Sequence, residues 1–218
     1  MTTVKHPLYK DFYEKGIIQI FSSDDFKTVH KSITDPLGRE LVTILYYTGA
    51  RPVQLLYYDD KDPARSFTTD NFTKEGNYLC ISVPPAKNGL PFKFYLSFNK
   101  FGIKELWRTI QKLPPKTPLF NQYAQTYVRR KVNKKGEVKH YIERSDRLRY
   151  YFKKWFSAVS SNPVPPYYLR HSRFSSMSEN GAPAESIMFA KGSKRMESVR
   201  PYMHMSKDKA VKLNKVIK

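Results

Sequence analysis

The sequence predicts an α+β domain, mainly helical, with one small antiparallel sheet. Three patterns carry that prediction. Apolar residues recur at helical spacing in several separate segments, two β-rich runs flank an Asn-Gly turn, and prolines or glycines punctuate the junctions between them. With 218 residues, 40% of them hydrophobic and 15% aromatic, the chain has material for one sizeable core, so a single domain with appendages is expected.

Residues 1 to 23 read as a lead-in segment ahead of a domain covering residues 24 to 204. Ser22-Ser23-Asp24-Asp25 offers a helix N-cap, and Phe26, Val29 and Ile33 follow at helical spacing until Asp35-Pro36 ends the run. A second helix starts near Pro36 with Leu37, Leu41, Ile44 and Leu45 on one face, and Thr48-Gly49-Ala50-Arg51-Pro52 then forces a corner that presents Arg51. Residues 57 to 76 are polar and read as a loop. Residues 77 to 83 and 92 to 98 read as a β-hairpin, with Lys87 riding on its Asn88-Gly89 turn. Ile103, Leu106, Trp107 and Ile110 mark a further amphipathic helix, closed by Pro114-Pro115.

Residues 121 to 146 form the most basic stretch, and a Lys-Gly turn signal between two alternating segments predicts a protruding basic hairpin. Arg129, Arg130, Lys131, Lys134 and Lys135 are its candidate phosphate contacts, and the interleaved Tyr123, Tyr127 and Tyr141 favour a nucleic-acid face over a merely solvated loop. Ser145 is then placed as the cap of a helix through Leu148, Tyr151, Phe152, Trp155 and Phe156, and Pro163, Pro165 and Pro166 stop it. Residues 205 to 218 read as a short basic amphipathic tail.

Charge narrows the function. Lys and Arg number 39 against 19 Asp and Glu, a net charge of +20, which calls for a polyanionic partner; nucleic acid leads and an anionic membrane follows. No apolar run reaches the roughly 18 residues of a membrane span, and the first residues lack a signal-peptide core, so the chain is expected to stay inside the cell without a membrane partner. The lone Cys80, in the apolar run Tyr78-Leu79-Cys80-Ile81, is expected to be a buried small hydrophobe, and Cys-based zinc binding is excluded.

Residues 167 to 204 are read as one short helical segment that combines Arg170, a Lys/Arg-rich turn and Tyr202. A phenol ordinarily titrates near ~10 and is a poor nucleophile at neutral pH. Set among cations it suits an anionic target, which makes Tyr202 a candidate covalent nucleophile toward a phosphodiester. Attack builds charge on the non-bridging oxygens, which two arginines clamp with forked, permanently charged donors. Arg51 and Arg170 are the candidate clamp. Lys87 is the candidate general acid for the departing oxygen, with Lys93 in reserve. His171 is a candidate to orient the phosphate or to serve Tyr202 as a base, or else a helix-packing histidine.

The order Thr48-Gly49-Ala50-Arg51, a hairpin lysine at 87, Tyr167-Tyr168-Leu169-Arg170-His171, Gly192 and Tyr202-Met203-His204 resembles the tyrosine recombinase family, whose catalytic domain is similar to that of type IB topoisomerases. The resemblance covers roughly residues 24 to 204. It implies that the helices and small sheet form that family's catalytic domain, acting without cofactor or metal on double-stranded DNA as a dimer or tetramer. The implied reaction is site-specific recombination or integration through a 3′-phosphotyrosyl intermediate. Two positions depart from the pattern. Tyr167 stands where the family's His-x-x-Arg box begins with histidine, a replacement also found in branches carried by archaeal plasmids and viruses; it either bonds the phosphate or fills the missing ring's space. Ser193 stands where a second histidine is usual, flanked by Lys191, Lys194 and Arg195. What replaces that histidine is left open; Lys194 is taken as a candidate catalytic residue, and Arg173 and Arg195 as DNA contacts. The expected location is the cytoplasm, with the nucleoid, in a virus- or plasmid-borne setting. Residues 1 to 23 are too few for the N-terminal DNA-clamping domain usual in the family, so either a catalytic fragment or a minimal enzyme is expected. The competing class is a catalytically inactive DNA-binding protein on the same scaffold, and a third reading is a single-strand or RNA binder.

Overall fold

The computed structural model describes residues 20–58, 65–85, 91–124, 147–160 and 164–203, together with the backbone of four short strands, Tyr13–Glu14, Ile17–Ile18, Thr126–Val132 and Val138–Arg144. The first two strands, β1 and β2, pair antiparallel. Helix α1 (Ser23–Ser32) starts where expected, because the Ser22 hydroxyl accepts from the Asp25 amide at 3.0 Å while the Asp25 carboxylate accepts from the Ser22 amide at 3.2 Å. Asp35 caps α2 (Pro36–Thr48) by accepting from the Leu37 amide, and Pro36 fits the first turn, where its missing N–H costs nothing. Asp35 also accepts from the Tyr123 hydroxyl.

The corner after α2 follows from its residue types. Gly49 ends the helix with φ +62°, in the left-handed region, and its amide reaches the Leu45 carbonyl at 2.9 Å. A side chain there would be strained twice, since a Cβ would also lie 3.1 Å from Phe174 and 3.2 Å from Arg173. Thr48 donates its hydroxyl to Ile44 and accepts from the Ala50 amide, and Pro52 opens the short helix α3 (Pro52–Leu56).

Three strands follow, β3 (Phe72–Glu75), β4 (Tyr78–Val83) and β5 (Phe92–Ser97), in the antiparallel order β3-β4-β5. The β4–β5 hairpin agrees with expectation, and Cys80 is buried in its central strand. Strand β3 corrects the loop expected for residues 57 to 76. It buries only Phe72 and exposes Thr73, Lys74 and Glu75, so it is an edge strand made by backbone pairing and shows no apolar alternation. Lys87 and its Asn-Gly turn lie outside the described residues.

Helix α4 (Ile103–Gln111) turns Ile103, Leu106 and Ile110 inward. The segment from residue 121 is corrected in part. Asn121–Tyr123 is a turn of 3₁₀ helix whose Tyr123 is 1% exposed, so Tyr123 belongs to the core and not to a basic face. The hairpin itself begins at β6 (Thr126–Val132) and returns as β7 (Val138–Arg144), with Arg129 opposite Tyr141 and Arg130 opposite His140. Lys134, Lys135 and Ser145 lie outside the described residues.

Helix α5 (Arg147–Trp155) buries Leu148, Phe152 and Trp155, and Phe156 continues its face. Trp155 lies on α2 at Gly38, where a Cβ would come within 2.6 Å of the indole, so only glycine permits this approach. The expected single helical segment after residue 167 is two helices, α6 (Tyr168–Glu179) and α7 (Ala184–Ala190), followed by 3₁₀ turns at Met196–Ser198 and Arg200–Tyr202. Tyr202 therefore stands on a 3₁₀ turn, where Pro201 and Gly192 preclude a continuous helix.

The core gathers at the crossing of α2 and α6. Phe26 stacks on Tyr46 at 4.1 Å, Phe152 on Phe156 at 4.9 Å, and Phe21 contacts Phe156 and Tyr168. Each such buried aromatic contributes on the order of 2 kcal/mol by removing apolar area from water. The Phe21 amide donates to the Ser172 hydroxyl at 2.7 Å, tying the end of the lead-in to α6. No helix among the described residues is long and apolar enough to cross a membrane.

Candidate active site

Arg170 joins the two sequence motifs. Its guanidinium donates from Nη1 to the Gly49 carbonyl at 2.5 Å and from Nη2 to the Lys191 carbonyl at 2.9 Å, and it lies 4.7 Å above the Phe174 ring. The first bond is possible because the left-handed turn at Gly49 leaves that carbonyl facing α6. Arg170 is 3% exposed, and burial, with the neighbouring Arg51 charge, lowers its pKa to about 10. Two of its five N–H donors are used by these carbonyls, leaving others for an anion.

Arg51 is half-buried at the start of α3. Its amide donates to Gln54 Oε1 at 3.0 Å, and Gln54 Nε2 donates to the Pro84 carbonyl at 2.6 Å. The corner is thereby fastened to the end of β4, just before the segment that carries Lys87. Lys93, on β5, is exposed.

Tyr202 is brought to the same place. Its hydroxyl lies 3.0 Å from His171 Nδ1, its ring meets Phe174 edge-on at 5.5 Å, and the Lys191 ammonium stands 5.0 Å from its centroid. Burial and the Arg170 and Lys191 charges push the His171 pKa down to about 4, so the ring is neutral at pH 7. With its proton on Nε2, the neutral ring offers Nδ1 as an acceptor for the phenol hydroxyl. Tyr167, 37% exposed at the start of α6, lies close to Arg170. Tyr202 is 3% exposed.

Other candidates are placed elsewhere. Ser193 accepts from the Ser198 hydroxyl at 2.8 Å and from the Arg195 amide at 3.3 Å, which makes it a turn residue. Lys194 and Arg195 are exposed on that turn. Arg173 is half-buried in the seam between α2 and α6, beside Tyr46 and Tyr47, and burial lowers its pKa. Arg129, Arg130 and Lys131 belong to β6.

Lys191 is the residue that sequence reading passed over. It follows α7 directly, its ammonium donates to the Ser198 carbonyl, and burial together with Arg170 and Arg51 lowers its pKa to about 8. A signal was present, since Ile187 lies one turn earlier and residues four apart share a helix face. Ile187 is fully buried, which directs Lys191 inward.

This mainly helical architecture with a three-stranded antiparallel sheet is the fold of tyrosine recombinase catalytic domains. The XerA recombinase matches over 100% of this chain and 67% of its own, with TM-score 0.56 and 17% identity. The XerH site-specific recombinase, in a pre-cleavage complex with its difH substrate, matches 91% of this chain with TM-score 0.54 and 17% identity. The chain spans 54% of XerH. The Tn1549 transposon integrase, in complex with circular intermediate DNA, matches 89% of this chain and 64% of its own, with TM-score 0.50 and 14% identity. No family model and no curated protein matches the sequence.

Proposed function

We propose that the chain is a DNA strand transferase of the site-specific recombinase kind, with Tyr202 as nucleophile. The observation that carries this reading is the meeting of Tyr202, His171, Arg170 and Arg51 from segments far apart in sequence, on a fold shared with recombinases. The phenol oxygen attacks phosphorus, its proton passes to His171 Nδ1, and the bond from phosphorus to the 5′ oxygen breaks. Lys87 protonates that oxygen, leaving a 3′-phosphotyrosyl bond and a 5′-hydroxyl, and a partner strand's hydroxyl reverses the step. Bond energy is retained in the phosphotyrosyl link, so no nucleotide cofactor is needed, and cations supplied by side chains take the place of a metal. Burial is the larger cause of the low His171 pKa and the Arg170 and Lys191 charges add to it; an anionic phosphate beside those two cations offsets their share and raises the basicity of the ring. Tyr167 supports Arg170, double-stranded DNA is the partner, and strand exchange requires more than one copy on it. The Tyr167 replacement favours an origin in an archaeal plasmid or virus.

The test is a pool of nicked duplexes of randomised sequence incubated with the protein in excess EDTA, followed by denaturing recovery of covalent adducts. Adduct from the wild type and none from Tyr202→Phe is the expected result. Cleavage that needs added magnesium and leaves no adduct points to metal-assisted hydrolysis instead. The burial of Tyr202 favours one second reading, a catalytically silent DNA-binding protein, and duplex binding with no adduct from any sequence identifies it.

A further inference from the structure

Among the described residues the site brings together Arg51, Arg170 and Lys191, and the sequence motif accounts for the two arginines. We infer that Lys191 is the third cation of the phosphate pocket, contacting the same phosphodiester as Arg51 and Arg170 and taking the part of the donor histidine that is lacking at position 193. This rests on the recombinase reading and names a further binding residue for it.

Position supports the assignment first. The Lys191 carbonyl is held by Arg170 at 2.9 Å, and its ammonium lies 5.0 Å from the Tyr202 centroid, so both ends of the residue touch groups of the candidate site. Ser193, by contrast, is engaged with Ser198 and Arg195 on the turn. Charge supports it next. None of the ion pairs among the described residues involves Arg51, Arg170 or Lys191; after burial, the Arg51 charge lowers the pKa of Arg170, and the Arg170 and Arg51 charges lower that of Lys191. An anion relieves that repulsion. The ammonium's bond to the Ser198 carbonyl uses one of its three N–H donors and aims it from the 3₁₀ turn that precedes Tyr202. Facing it are Arg51 from α3, Arg170 and His171 from α6, and Tyr202 from the last turn. Of these cations Lys191 is the one that loses its charge nearest neutrality, at about 8.

Sulfate is the probe, because its charge is constant between pH 6 and 10. Its affinity for the intact protein is measured by calorimetry at pH 7 and pH 9, with wild type, Lys191→Met, Lys191→Arg and Ser193→Ala. At pH 7 Lys191→Met should weaken sulfate by about tenfold or more, the loss of one charge-assisted bond, while Lys191→Arg restores most of it and Ser193→Ala changes nothing. Wild-type affinity should fall between pH 7 and pH 9 and the methionine variant's should not. A purely structural lysine would lower the melting temperature without this pH signature. Equal sulfate affinity in wild type and Lys191→Met, or a wild-type affinity that does not fall by pH 9, overturns the assignment. The covalent-adduct assay, run beside it, keeps the two readings apart. Sulfate binding that depends on Lys191 with no covalent adduct refutes the recombinase reading alone, and adduct formation with Lys191-independent sulfate binding refutes this inference alone.

Discussion

The Tyr202 hydroxyl lies 3.0 Å from His171 Nδ1, on a ring whose pKa burial and two neighbouring cations hold down to about 4. The pair joins a phenol to a ring kept neutral at pH 7 by burial first and by the Arg170 and Lys191 charges next, and on the proposed reading a bound phosphate offsets the second of these causes. Replacing His171 with glutamine should therefore reduce adduct formation by about 100-fold, at the low end of what a positioned general base contributes, and leave duplex affinity intact. Comparable single-turnover rates in His171→Gln and wild type would assign the proton to water.

The same histidine predicts a pH effect on stability. Its folded pKa lies below the ordinary value near 6.5, so the unfolded chain binds its proton first as pH falls. The contribution of the neutral ring is complete above about pH 6.5 and is lost progressively toward pH 4, by at most ~3 kcal/mol. Urea midpoints between pH 4.5 and 7 should rise with pH more steeply in wild type than in His171→Gln.

Arg51 and Arg170 should separate in their variants. Arg170→Lys removes the fork that spans the Gly49 and Lys191 carbonyls, so it should lower both stability and cleavage, the stability by about 2 kcal/mol or more. Arg51→Lys should lower cleavage by about 100-fold with little change in the unfolding midpoint, since the corner is held through the Arg51 amide and Gln54. Equal loss of stability in both variants contradicts this division.

Glu40 offers a test far from the site. It is 3% exposed on α2, accepts from the Thr109 hydroxyl at 3.0 Å, and burial raises its pKa to about 7. The folded chain then holds a proton that the unfolded chain releases above about 4.5, so this residue subtracts stability as pH rises toward 7. Glu40→Gln keeps the acceptor and removes the titration. It should be the more stable form at pH 8, by on the order of 1 to 3 kcal/mol, and the gain should vanish near pH 4.

The basic hairpin is tested by salt. If Arg129, Arg130, Lys131, Lys134 and Lys135 contact phosphates, each should contribute about 0.9 to the slope of log affinity against log salt. Neutralising all five should flatten the slope by several units and weaken every duplex alike, because phosphate contacts carry no sequence information. An unchanged slope with lower solubility identifies a charged surface hairpin.

The parts of this protein that its sequence alone determined are those governed by neighbours along the chain. The Ser22 cap, the Asp35-Pro36 start of α2 and the Thr48-Gly49 corner each depend on a side chain meeting backbone within a few residues, so residue type and spacing suffice. The β4–β5 hairpin and the inward faces of α1, α2, α4 and α5 follow from periodicity in the same way. Only the tertiary structure decided the rest. Strand β3 exists because β4 offers it a partner, and Tyr123 turns inward because Asp35, far back in the chain, accepts its hydroxyl. The site belongs to this second kind. Sequence spacing nominated Arg170 and Tyr202 without showing that Arg170 also fastens Gly49 to Lys191, or that Tyr202 rests on His171. It named Lys194 as a candidate and left open what replaces the histidine at Ser193; in the fold the turn after Gly192 leaves Lys194 in solvent and Lys191 against the tyrosine. Which of two neighbouring lysines faces inward is set by how α7 packs on α6, a long-range contact that leaves little trace in local composition.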